Sequence, residues 1–109
     1  MKIVSPYPVC GRMYKISLTL QAEKDARKIE QAGLKPKAAA LVVVIRQNPF
    51  QNPPPFEKLK AYKDTYSRRI NIQHRLVYQV LPNDDNELDE TGAPYQGKVK
   101  IIRMWTHYD

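Results

Sequence analysis

The stretch YSRRINIQHRLVYQV, residues 66 to 80, gathers side chains able to do chemistry. Six of its fifteen residues are Arg, His or Tyr, set among apolar residues at strand-like spacing. Arginine stays charged at physiological pH and grips phosphate oxygens with a planar fork of N–H donors. Histidine titrates near neutrality and can give or take a proton. A surface strand could carry such residues idly, whereas a strand lining a cleft for a phosphate chain would need them. His107 and Tyr108 add a second imidazole and a phenol near the C-terminus. With two widely separated histidines and Cys10 as the single cysteine, the sequence offers no metal-ligand constellation and no internal disulfide.

The elements that must position these groups follow from periodicity. MYKISLTL alternates Tyr14, Ile16, Leu18 and Leu20 with polar residues, as a strand does. TLQAEKDARKIEQAG reads as a helix that Thr19 caps and Gly33 ends, with Ala22, Ala26 and Ile29 on one face. A second helix begins after Leu34 with Pro36 in its first turn and stops at Asn48-Pro49; its LVVVI segment is β-branched and could instead be a buried strand. NPFQNPPPF is barred from a central sheet by its prolines and should link to EKLKAYKDT. Strands are expected at about 66–71, 74–81 and 98–106. The order strand, helix, helix, then strands predicts an α+β domain, an antiparallel sheet with two N-terminal helices packed on one face. Leu76, Tyr78 and Val80 should face the helices and Arg75 the other way. Val99, Ile101, Arg103, Trp105 and His107 should share a side, unless a bulge changes the phase.

The 109 residues suffice for one domain, residues 13–109, after a loose extension at 1–12; Met13 could be the start of translation. Net charge is +7, and residues 1 to 83 carry 15 basic against 5 acidic residues, a balance that attracts polyanions. Five acids, Asp84, Asp85, Glu87, Asp89 and Glu90, crowd a single run. The longest apolar run, AAALVVVI, is too short to cross a membrane, and no signal-peptide core is visible, so a cytoplasmic location is expected.

An aromatic followed by S-R-R-I, then H-R-L-V-Y, then a C-terminal His-Tyr resembles the YoeB/Txe toxins of the RelE superfamily. QAEKDARKI, NPF and FEKLK are also similar, so the resemblance spans about residues 13–109. It implies the toxin half of a toxin–antitoxin system: an endoribonuclease that cuts messenger RNA in the ribosomal A site. A YefM/Axe-like antitoxin with an acidic segment would restrain it, operator DNA would be met only through that complex, and homodimers occur in the family. No cofactor is implied.

Metal-free cleavage of RNA needs a base for the 2′-OH, a donor for the leaving 5′-oxygen and cations for the phosphorane. By family position Glu57 is the base, His107 the acid and Arg75 the main phosphate clamp, while Tyr108 orients the nucleotide. Lys60, Arg69, Arg68 and Arg103 are the supporting RNA- or phosphate-binding cations, with Arg68 pointing away from Arg69, toward an antitoxin or ribosomal RNA. Lys58, Lys63, Lys98 and Lys100 would add sequence-blind affinity. Each has a bland counterpart: Glu57 as a solvated acid, His74 as a strand-end hydrogen-bonder, Tyr66 and Tyr78 as packing, Trp105 as either packing or a stacking platform. Two features depart from the family. Asp109 follows the tyrosine, and the acidic connection after residue 82 is long: a disordered insertion (the preferred reading), an antitoxin contact, or a flap that weakens RNA binding. Competing functions are a superfamily toxin that poisons a gyrase by binding alone and a DNA-binding co-regulator acting with its antitoxin.

Overall fold

The computed structural model describes residues 13–105. The expected extension at 1–12 and the expected site residues His107 and Tyr108, with Asp109, lie outside the described residues. Strand β1 (Tyr14–Leu18) leads into helices α1 (Leu20–Gln31) and α2 (Lys35–Gln47), followed by β2 (Glu57–Lys58), β3 (Thr65–Arg69), β4 (Arg75–Leu81) and β5 (Gly97–Arg103).

Local chemistry sets the helix limits. Thr19 Oγ1 accepts the Ala22 N–H at 3.0 Å at the start of α1, and the same hydroxyl donates to the Ile102 carbonyl, tying the helix to β5. At the other end Gly33 adopts φ +77°, its N–H reaches the Glu30 carbonyl, and the Leu34 N–H reaches that of Ile29. This paired closure favours glycine, since a Cβ disfavours the left-handed conformation. In α2, Pro36 sits where no helical N–H is needed, and Ala38, Leu41 and Ile45 form one buried stripe. LVVVI is therefore helical, because the preceding alanines and this stripe outweigh β-branching.

The sheet order is β1-β5-β4-β3-β2. Pairings β3–β4 and β4–β5 are antiparallel, as expected; the short β2, which the sequence did not announce, adds antiparallel to β3, and β1 lies parallel to β5 and makes the sheet mixed. Residues Leu76, Tyr78, Val99 and Ile101 join Ala22, Ile29, Ala38, Leu41 and Ile45 in one core, so both helices cover the same face. Each Leu, Ile and Val side chain among these contributes roughly 1.5–3 kcal/mol relative to exposure.

One irregularity alters the expected facing of β5. Val77 pairs with Arg103 but Tyr78 with Ile101, which leaves Ile102 as an extra residue in β5. Ile101 and Met104, three positions apart, both enter the core, which strict alternation forbids. The single side expected for Val99, Ile101, Arg103 and Trp105 is thus corrected: Val99 and Ile101 face the helices, and the phase changes at Ile102. The long acidic connection is also folded, in contrast to the disordered insertion expected. Asn83 Nδ2 donates to the carbonyls of Glu87 and Tyr95, Leu88 bridges Pro94, and Gln96 N–H reaches the Met13 carbonyl.

Candidate active site

Strands β2, β3 and β4 present one end of the face turned away from the helices. Register sets Glu57 opposite Ser67, Ser67 opposite Val77, and Arg69 opposite Arg75. Paired residues share a side of the sheet, so all of these point away from Leu76 and Tyr78. Arg75 Nη1 donates to Glu57 Oε1 at 2.5 Å, across the intervening strand. The Glu57 side chain is 67% exposed and that of Arg75 21%, so the carboxylate projects from beside a partly sunken guanidinium. Arg69 is exposed and has no ionic partner among the described residues. Two guanidiniums beside one carboxylate leave net positive charge, which suits a phosphate oxygen. Lys60 is exposed in the turn that follows β2. Ser67 Oγ, in the same row as Glu57, is buried without a hydrogen-bond partner, a feature that nothing in the sequence marked.

The structure corrects the expectation for Arg68. Its side chain is 1% exposed and lies on the helix-covered side. Nε donates to Tyr78 Oη at 3.1 Å, Nη1 to the Pro54 carbonyl at 2.6 Å, and Nη2 to the carbonyls of Pro49 and Gln51, both at 2.9 Å. The guanidinium carbon lies 4.9 Å from the centre of the Phe56 ring. Arg68 therefore binds its own chain rather than RNA. Tyr78 Oη also donates to Pro49 O at 2.7 Å, and burial pushes the phenol above its ordinary pKa, against the pull of Arg68. Tyr66 and Tyr78 pack together with Phe50 and Phe56, as the packing reading held.

Arg103 also has a partner within the fold, while its side chain stays 41% exposed. Its Nε meets Asp25 Oδ2 at 3.2 Å, and the same oxygen accepts the N–H groups of Met104 and Trp105. Burial alone would raise the pKa of Asp25, but the Met104 N–H, the Gln21 amide, the Trp105 N–H and Arg103 outweigh it and hold it below the usual carboxylate range. His74 is buried and stacked on Trp105, with ring centroids 3.9 Å apart, and Trp105 packs against the core.

At the opposite end of the same face, Lys98 Nζ pairs with Asp85 at 2.8 Å and Glu87 at 3.4 Å, and Lys15 pairs with Glu87. Hydrogen bonds from Lys98 to Asp85, and from Lys15 to Glu87, lead the lowering of the two carboxyl pKa values, and the Asp85 bond raises that of Lys98. Lys98, expected to add affinity for RNA, is thus neutralised. Lys98 pairs with Leu81, six residues along β4 from Arg75 and roughly 20 Å away at strand rise. The acidic connection leaves from that far end, an unsuitable place for a flap over Glu57. Among the described residues no group of three or more His, Cys, Asp or Glu could hold a metal ion, and no helix is long and apolar enough to cross a membrane.

Residues 22–108 match the family model of the YoeB-like toxin of bacterial type II toxin–antitoxin systems. No curated protein sequence matches the chain. Among solved structures, a YoeB/ParE toxin from Agrobacterium tumefaciens superposes with a TM-score of 0.67 at 25% identity, covering 86% of this chain and 99% of that one. The YoeB dimer from Staphylococcus aureus is similar at a TM-score of 0.65 and 29% identity, over 87% of this chain and 98% of that one. The YoeB–YefM complex from the same organism gives 0.61 at the same identity and coverage.

Proposed function

The chain belongs to the YoeB-like toxins of bacterial type II toxin–antitoxin systems, and on that premise we propose that it is a ribosome-dependent endoribonuclease cleaving messenger RNA in the A site. The observation that carries this reading is the 2.5 Å contact of Glu57 with Arg75, with Arg69 opposite Arg75 on the same face. A carboxylate and two guanidiniums at one strand end supply a base and a phosphate clamp together. A binding module has no use for the carboxylate, which only weakens attraction for phosphate.

In the proposed reaction the scissile phosphate takes the fork of Arg75, with Arg69 in support. Its arrival draws Arg75 off Glu57 and frees the carboxylate to accept the 2′-OH proton. The 2′-oxygen attacks phosphorus, the bond to the 5′-oxygen breaks, and His107 delivers a proton to that leaving oxygen. Tyr108 orients the nucleotide, and Lys60 adds charge nearby. The products are a 2′,3′-cyclic phosphate and a 5′-OH end. A YefM-like antitoxin, the partner named for the Staphylococcus aureus toxin, would restrain the enzyme by covering the cationic end with an acidic segment.

The test is a bacterial translation extract with wild type, Glu57→Ala, Arg75→Ala and His107→Ala, message ends being mapped by primer extension. Codon-phased cuts that vanish in the variants are expected. Growth arrest that persists in cells expressing each of the three variants, with message intact, would replace this reading with the binding-only toxin.

A further inference from the structure

We infer that Arg68 is the positioning residue for Glu57, acting through the proline-rich segment that precedes it. The inference rests on the reading of Glu57 as the base. Residues 49–55 include Pro49, Pro53, Pro54 and Pro55, which have no N–H to offer a neighbouring strand. Their carbonyls still need donors wherever water is excluded. Strand β2, which carries Glu57, is two residues long, Glu57–Lys58, so strand pairing alone fixes it by few bonds.

Arg68 supplies what this segment lacks. A guanidinium offers five N–H donors in a rigid plane, and here the plane reaches Pro49, Gln51 and Pro54 carbonyls at once. Phe56, the residue immediately before Glu57, lies against the same guanidinium. Tyr78 Oη closes the network by accepting from Arg68 and donating to Pro49. From the strand position between Ser67, which pairs with Glu57, and Arg69, which pairs with Arg75, Arg68 anchors from behind the chain whose front displays the carboxylate. Lysine would not substitute, because its compact ammonium lacks the fork that spans the three carbonyls.

The experiment combines kinetics and exchange on the full-length chain. Arg68→Lys, Glu57→Ala and the double variant are compared in single-turnover message cleavage, alongside hydrogen exchange of residues 49–59. Arg68→Lys should slow cleavage roughly 10- to 100-fold, the scale of an ångström-sized misplacement. In the Glu57→Ala background the same change should cost little further, because both act through one group. Exchange at 56–59 should quicken while β4 and β5 keep their protection. In Arg68→Ala, which removes the charge that Arg68→Lys keeps, the salt slope of RNA binding should match wild type. Unchanged exchange at 56–59, or a salt slope reduced by about one in Arg68→Ala, would overturn the inference in favour of a phosphate contact. If Glu57→Ala alone leaves cleavage intact, the reading of the base fails, while the exchange data still decide whether Arg68 anchors the segment. Should Arg68→Lys unfold, Phe56→Leu, which removes only the ring against the guanidinium, gives the same exchange readout.

Discussion

The two ends of the sheet face turned away from the helices carry similar residues and treat them differently. At the end formed by β2, β3 and the start of β4, one carboxylate, Glu57, meets Arg75 while Arg69 stands opposite with no ionic partner among the described residues. At the far end, Asp85 and Glu87 meet Lys98 and Lys15, two charges against two. One end keeps excess positive charge and a base beside it. At the other these four charges cancel, and its carboxylates serve to fold the connection between β4 and β5. Composition alone made the whole basic surface equivalent; strand register divides it.

Removing the carboxylate from each end should break the symmetry most visibly. Glu57→Ala is expected to slow cleavage roughly 100- to 10,000-fold, the range of a lost proton-transfer group, without weakening RNA binding. Single-turnover rates set against filter binding check this, and a matching loss of affinity would make Glu57 an architectural residue.

Asp25 tests whether the chain just before the C-terminal residues needs its anchor. Asp25→Ala strands the N–H groups of Met104 and Trp105 and should cost about 3 kcal/mol of stability, read by urea denaturation. Because its folded pKa is depressed, the contribution of Asp25 is complete above the unfolded value of about 3.9 and is lost as pH falls through the lower folded value. Asp25→Asn should therefore flatten, though not abolish, the acid dependence of stability, since Asp85, Glu87 and Asp89 are also depressed.

Arg69→Ala should reduce the salt slope of RNA binding by about one, with a few-fold loss of affinity. The smallest effect is expected at the far end. Asp85→Asn with Glu87→Gln should leave the cleavage rate unchanged, whereas a rise would revive the idea of an acidic flap.

Much of the fold is legible in the sequence because it is written in local rules. Thr19, Gly33 and Pro36 mark helix limits by caps and turns, and alternation in RLVYQVL separates Leu76 and Tyr78 from Arg75. What stays hidden depends on partners distant in the chain. Alternation turns Arg68 away from Arg69, but only the folded segment 49–56 shows that three carbonyls await it. Asp25 looks like any polar residue on a helix until β5 brings two N–H groups to it. Strand β2 is too short to have a period, and the extra residue at Ile102 leaves no compositional mark. Residue types offered the arginines as phosphate-binding candidates, Glu57 entered the candidate site only through the family resemblance, and neither told which neighbouring cations the fold engages, as it does Arg68.

The most direct measurement sets Arg75→Ala beside Lys98→Ala in the same translation extract and compares the fraction of message cut over time. Cutting is expected to collapse in the first and to continue at the wild-type rate in the second. Equal loss in both, or loss only when the lysine is removed, would contradict this.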